Sequence, residues 1–345
     1  MKNITAALLI SITLFSCKKE TQTITKVDPK TGKTVTVEVP ADSIKEVAAI
    51  PAIKDSLGVF TQKFKLEKGK TYPLVTVQQD DQSITAPNGQ AQAGKSESTD
   101  EMSFLVNDFK DGIYDITINL IGKKSSQTAN GKTIVIDTKA AAPKEEQLKM
   151  MWNVNKALVG NKLQMKMKEN GEVLSITGFE PIYTKVSTSV GSVLKKADQK
   201  TAFAKSFKES FNQEMIKDQF MKNLKLIPSK GVKIGESWTE TENASQDGKV
   251  KLTTTYILKS VGNGTAEIGV SGGIPKKSDK QSQDGMTHTM SSELSQNGTI
   301  TIDQNTGWIK NQKIAVKSTQ TESISDGKQT QSMKSVSNSN VIVNP

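Results

Sequence analysis

Hydrophobic positions along this chain change period twice, and the two changes divide it into three zones. From Val59 onward apolar residues alternate with polar ones: Phe60, Phe64 and Leu66 lie among polar neighbours, and Tyr72 to Gln79 resumes the pattern after the Lys68-Gly69-Lys70 turn. Met102–Val106 and Ile113–Leu120 read as a hairpin around Asp108-Phe109-Lys110-Asp111-Gly112, with Ile116, Ile118 and Leu120 on one face and Asp115, Thr117 and Asn119 on the other. Between them, residues 86–100 are rich in Gly, Gln and Ser and are expected to form a loop. Asn130-Gly131 turns the chain into Thr133–Asp137.

The middle zone has helical spacing. Leu148, Met151, Trp152, Leu158 and Val159 recur three and four apart after Pro143, and Gly160-Asn161 ends that segment. A short hairpin follows, in which Leu163, Met165 and Met167 alternate with polar residues and Asn170-Gly171 leads into Val173, Leu174 and Ile176. A second helical region is expected over 181–226. Ile182, Val186, Val190, Val193 and Leu194 form its first stripe, with a break at Gly191. Phe203, Phe207 and Phe211 continue the stripe, and Ile216, Phe220 and Leu224 follow after a slip of one position. Pro228 ends the region, and strands occupy 234–343, separated by Gly-containing turns.

These zones predict an α+β fold: a curved, mainly antiparallel, half-barrel-like sheet with the central helices packed on its concave face. The expected domain is residues 59–345, with strands over 59–138, helices at about 143–160 and 181–226, and strands over 234–343.

Composition narrows the chemistry. Apolar residues are 34% of the 345, below the usual range of about 45–50%, so the core is modest and the surface polar. The chain has one His, one Cys and no Arg; all 46 basic residues are Lys. Cys/His zinc sites, Cys–His nucleophiles, disulfide scaffolds and arginine phosphate clamps are therefore excluded, and neither metal nor cofactor is expected. The net charge of +10 is spread over scattered lysines, and aromatics are 5%. Without Arg or stacking aromatics, nucleic acid is not an expected partner.

Several short patterns resemble reactive or binding motifs. Gly269-Val270-Ser271-Gly272-Gly273 matches the nucleophile-elbow spacing, but no helix start follows it, and the lone His288 sits in a strand pattern. Gly32-Lys33-Thr34 and Gly131-Lys132-Thr133 lack the earlier glycine of a phosphate loop. Asp108, Asp111 and Asp115 fit a turn better than a calcium loop. The Phe203/Phe207/Phe211 stripe, with Trp152 and Met215, either packs a helix on the sheet or lines an apolar ligand pocket.

The N-terminus carries the most specific signal. Met1-Lys2-Asn3 precedes an apolar run from Ile4 to Phe15, too short to span a bilayer and suited to a signal peptide. Leu14-Phe15-Ser16-Cys17 resembles the lipobox of bacterial lipoproteins. The resemblance implies cleavage after residue 16, acylation of the Cys17 thiol and amino group, and a stable multi-chain membrane anchor. Lys18 in place of Asp implies the outer membrane by the same resemblance, with the leaflet open. Residues 17–58 then form the lipidated Cys and a polar tether, with a turn at Asp28–Gly32 and alternation over Thr34–Val39; as flexible chain they reach roughly 35 Å.

Together with this N-terminus, Lys68-Gly69-Lys70-Thr71-Tyr72-Pro73-Leu74 and Val232-Lys233-Ile234-Gly235-Glu236-Ser237-Trp238 make the chain resemble a domain-of-unknown-function family of Bacteroidota envelope lipoproteins, over roughly residues 59–343. The order strands, helices, strands is also similar to that of half-barrel lipoprotein carriers, a topological analogy. The resulting expectation is a membrane-anchored envelope lipoprotein acting as a non-catalytic binding module, with a lipid or other apolar ligand held between helices and sheet and protein partners unknown. The alternatives are an assembly lipoprotein without a ligand and a carboxylate-based glycan hydrolase, which needs two facing carboxyl groups in a cleft.

Overall fold

In a computed structural model the described residues are 21–27, 34–40, 51–191, 193–245 and 248–345. The chain divides into two compact units, Met1–Ile50 and Pro51–Pro345. In the first, β1 (Thr21–Val27) and β2 (Thr34–Pro40) pair antiparallel, Thr21 opposite Pro40 and Val27 opposite Thr34. Cys17 and the lipobox lie outside the described residues.

The second unit opens with a hairpin of β3 (Ile53–Ser56) and β4 (Val59–Gln62). Four strands follow: β5 (Thr71–Thr85), β6 (Ala91–Lys110), β7 (Ile113–Ala129) and β8 (Lys132–Asp137). Next come α1 (Glu146–Leu158), β9 (Lys162–Lys168) and β10 (Val173–Thr177), then α2 (Phe179–Val190), α3 (Ala197–Ser210) and α4 (Gln213–Leu224). The chain continues through β11 (Ser237–Asn243), β12 (Lys251–Gly262), β13 (Thr265–Gln283), β14 (Met286–Asp303), β15 (Ile309–Ser325) and β16 (Thr330–Val343).

Twelve strands form one antiparallel sheet in the order β10-β9-β7-β6-β5-β16-β15-β14-β13-β12-β11, with β8 also on β7. The sheet is curved and open, its edges at β10 and β11. The two halves of the sequence meet where β16 pairs with β5, and Asn344 extends that seam: its Oδ1 accepts from Val75 N at 2.9 Å and its Nδ2 donates to Ile309 O at 3.0 Å.

Three expectations change. Residues 91–100 are strand, not loop; only the turn over 86–90 separates β5 from β6. Their side chains are polar on both faces, so no alternation announced them, yet β5 and β7 satisfy their backbone on either side. The 181–226 region is three helices; Gly191 caps the first, and the one-position slip after Phe211 is a helix break. The first helix of the unit begins at Glu146, three residues beyond Pro143, where the apolar stripe starts.

The core lies on one face at one end of the sheet. Alternation delivers Tyr72, Leu74, Phe104, Val106, Ile116, Ile118, Ile300 and Ile302 to it, and Ile182, Val186, Phe220 and Leu224 from the helices pack against them. Phe104 is at its centre, edge-on to Phe220 at 5.1 Å and to Trp308 at 5.0 Å. Trp308 Nε1 donates to Pro73 O at 2.9 Å. Gln62, buried beneath the first hairpin, donates to Leu224 O (2.9 Å) and Gly307 O (3.0 Å) and accepts from Leu226 N (3.0 Å) and Ile227 N (3.1 Å). One side chain thus satisfies the C-terminal end of α4 and ties it to the hairpin and the β14–β15 turn.

Candidate functional site

The helices cover part of the sheet and leave a cleft of about 330 Å³ beside the core. Its floor is Met102 on β6 and Leu120 on β7; Leu158 and Val159 from the end of α1 form one wall, and Phe211 and Ile216 from the α3–α4 junction form the other. Thr76, Gln78, Ser98, Asp100, Glu101, Gly122, Lys123, Ser210 and Gln219 line the rest. The lining is apolar next to the core and polar beyond it.

Two asparagines set the walls. Asn161 Nδ2 donates to Ala157 O (2.6 Å) and Leu158 O (2.7 Å), closing the carbonyl end of α1, while its Oδ1 accepts from Lys185 Nζ at 2.6 Å. Gly160 N and Leu120 O, 2.8 Å apart, then bind that end to β7. Asn212 caps two helices at once: Nδ2 donates to Glu209 O of α3 at 2.9 Å, and Oδ1 accepts from Met215 N of α4 at 3.0 Å. Tyr183 donates its hydroxyl to Phe211 O at 2.8 Å, which holds the junction against α2.

The residues expected to form a pocket are distributed differently. Phe203, Phe207 and Phe211 stack in sequence at 6.2 and 5.7 Å, and Tyr183 and Phe179 meet Phe207 and Phe211 edge-on at 6.1 and 5.6 Å. This ladder fastens α3 to α2, with Lys208 above Tyr183 at 4.7 Å. Trp152 is half-buried against β8, its Nε1 donating to Asp137 O at 2.9 Å, and Met215 is exposed at the start of α4. Phe211 is the residue shared between the expected pocket and the cleft. Met102, Leu120, Leu158 and Ile216 converge on it from four separate segments, which sequence periodicity alone does not connect.

The cleft's charges are paired. Asp100 accepts from Lys123 on the neighbouring strand, and Glu101, which also lines the cleft, is held by Lys139 at 2.6 Å. On the other side of the sheet, Asn107 Nδ2 donates to Asp115 Oδ1 (3.0 Å) and Lys166 Nζ to Asp115 Oδ2 (3.0 Å). These two partners, Asn107 first, hold the Asp115 carboxyl below its usual range.

The short motifs occupy ordinary places in the fold. Ser271 lies within β13 opposite Asn297, and His288 is roughly 30 Å further along β14 at about 3.3 Å per residue. Gly131-Lys132-Thr133 belongs to the β7–β8 turn, where Asn130 and Gly131 both have positive φ. Asp108 is paired with Lys68 at 2.8 Å. Gly32-Lys33 lies outside the described residues. No group of three His, Cys, Asp or Glu could hold a metal, and no helix is long and apolar enough to cross a membrane, among the described residues.

A family model matches residues 111–309, from β7 through the helices to the start of β15, and its description is "Family of unknown function" (DUF6263). The chain belongs to this family. Val232 to Trp238, which carried part of the resemblance, falls inside the matched span, and Val232 and Trp238 are buried in the core. No curated protein matches in sequence. Among solved structures, lipovitellin shows 11% identity and a TM-score of 0.39 over 81% of this chain, which spans about a quarter (26%) of the lipovitellin chain. The Salmonella typhi OmpF complex with daunomycin has 6% identity and a TM-score of 0.19, covering 81% of this chain and 100% of that one. The COG4313 outer membrane channel of Pseudomonas putida F1 has 10% identity and a TM-score of 0.17, covering 81% and 97%.

Proposed function

We propose that this protein is an envelope lipoprotein, anchored to the outer membrane through acylated Cys17, whose folded unit is a non-catalytic binding module for an amphipathic molecule. In this reading the open sheet is a half-barrel-like cradle with the helices on its concave side, and the cleft between them is the binding site. The observation that carries it is the cleft's division: Met102, Leu120, Leu158, Phe211 and Ile216 offer an apolar seat, and Gln78, Ser98, Asp100, Lys123 and Gln219 offer hydrogen bonds and charge beyond it. An apolar tail gains by leaving water, and a polar head needs the partners that surround the opening. The lipobox at Leu14–Cys17 supports the anchor.

Native mass spectrometry of the full chain after gentle extraction tests the binding. A co-purifying amphiphile is expected in the wild type and a strongly reduced amount in Ile216→Glu, which places a charge in the apolar wall. An empty wild-type chain, or equal occupancy in both, would refute it. Fractionation of Cys17→Ala tests the anchor: the variant is expected in the soluble fraction, and continued tight membrane association would contradict the assignment.

A further inference from the structure

A second hollow continues the cleft along α1. Paired residues of antiparallel strands share a face, as do residues two or four apart on one strand. Ser98 is four residues from Met102 on β6 and lies opposite Ser125 of β7, and Ser125 lies opposite Ile136 of β8. These residues therefore stand on the cleft's side of the sheet, and Ile134, two residues from Ile136, joins them. Facing them, Leu148, Met151 and Leu158 fall at helical spacing on one stripe of α1. Trp152 Nε1 donates to Asp137 O, and Lys156 Nζ donates to Thr138 O at 2.7 Å, so the helix is held over the end of β8. Between helix and sheet lies a hollow of about 320 Å³, with Ile134, Ile136, Leu148 and Met151 as its apolar side. Ser98 borders both this hollow and the cleft. Leu148 walls the one and Leu158 the other, so the two sit at opposite ends of one helix stripe, about 15 Å apart at about 1.5 Å per residue.

We infer that the ligand is a two-chain lipid with a net-neutral head, one chain seated in the cleft and the other in the hollow. The inference rests on the reading of the cleft as a binding site and adds the class of molecule it takes. Each space alone is near the lower end, about 300 Å³, of the volumes that small-molecule sites occupy. The stretch between the two apolar seats is polar on both walls: Ser98 and Ser125 on the sheet, and Asn155 between Met151 and Leu158 on the helix stripe. A single-chain amphiphile fills one seat and leaves the other in water, with Ile134 44% and Met151 50% exposed. Two chains joined through ester groups cover both seats and bring the ester oxygens to the Ser98 and Ser125 hydroxyls, which donate to them. The charges set the head. Asp100 is balanced by Lys123 and Glu101 by Lys139, so the cleft has no surplus charge for an anionic or cationic head, and a zwitterionic one finds a partner for each of its charges.

Native mass spectrometry of the delipidated full chain tests it, by titration with dioleoylphosphatidylcholine or with its one-chain lyso form. The wild type is expected to take one two-chain lipid or two lyso molecules. The two-chain lipid is expected to be held at least about tenfold more tightly, because joining the chains makes the second seating intramolecular. Met151→Glu places a charge in the hollow alone, at a half-exposed position on which the fold does not depend. This variant is expected to hold one lyso molecule and to lose the preference for two chains. A wild type that takes a single lyso molecule as tightly as the two-chain lipid, or a Met151→Glu variant that behaves as wild type, would overturn the two-chain assignment and leave the cleft as a seat for one chain. Tighter binding of the anionic dioleoylphosphatidylglycerol would overturn the neutral head. A wild type that binds none of these lipids would overturn both this inference and the reading of the cleft on which it rests.

Discussion

Replacing Gln62 by Leu isolates one buried polar junction. The substitution keeps a side chain of similar size beneath the first hairpin but removes all four hydrogen bonds. Leu226 N and Ile227 N lose their acceptor, and Leu224 O and Gly307 O lose their donor. A buried amide left without a partner costs about 1–3 kcal/mol, and an orphaned carbonyl is tolerated better. Two amides therefore give roughly 4 kcal/mol. The unit spans Pro51–Pro345, and at about 2.1 cal/mol/K per residue its unfolding entropy is about 0.6 kcal/mol/K. The thermal midpoint is then expected to fall by about 6 °C, read by differential scanning calorimetry of the wild type and variant at equal concentration. Gln62→Glu keeps the acceptors but turns a carboxylate toward two carbonyls. It is expected to be the worse variant at neutral pH and to recover part of its loss on acidification, when the protonated acid donates again. A midpoint within about 1 °C of wild type for Gln62→Leu would show that the four bonds do not hold the hairpin to α4, and the reasoning would fail.

Three further outcomes are expected. Phe104→Ala empties the position between Phe220 and Trp308 and should cost about 3–5 kcal/mol in urea unfolding, with a changed near-UV signal from Trp308. Gly298→Ala would put a Cβ 2.1 Å from Lys313 O on the neighbouring strand, so a loss above about 2 kcal/mol is expected by the same assay, and a neutral result would mean the strands separate freely there. Burial, then the nearby Glu240 and Glu242, push the Tyr256 hydroxyl from its ordinary value of 10.0 to about 12. The folded state holds that proton more tightly, so its contribution is complete below pH 10 and disappears as pH rises through about 12. Tyr256→Phe should flatten this alkaline decline, and identical pH profiles for the two proteins would refute it.

The parts of this fold legible in the sequence are those where one side of an element is buried. Ile116, Ile118 and Leu120 alternate because one face of β7 meets the core, and Ile182, Val186 and Val190 recur at helical spacing for the same reason. The slip between Phe211 and Ile216 was visible, and Asn212 between them was the available sign of a cap, but only the structure makes it a corner between two helices. The far end of β6 was illegible because Lys95, Ser96, Glu97 and Ser98 are polar toward both sides, and period-two patterning disappears when neither side is buried. The cleft was hidden for another reason. Met102, Leu120, Leu158 and Ile216 each look like ordinary core positions, and their shared opening depends on where helices stop rather than on any spacing. Gln62 reads as one more polar residue until the four backbone groups around it are in place.

The seam between β5 and β16 has a consequence for how this molecule comes into being. The last strand of the sheet must find one that left the ribosome about 250 residues earlier, the separation of Lys334 from its partner Thr85. Until β16 emerges, β5 keeps an unpaired border, and the N-terminal and C-terminal groups of strands cannot be joined. A nascent chain therefore remains an unclosed assembly until β16 has emerged, and full cooperativity arrives only with that strand. Deleting β16 would leave two partial sheets with bare borders, a state prone to pair with its neighbours rather than with itself.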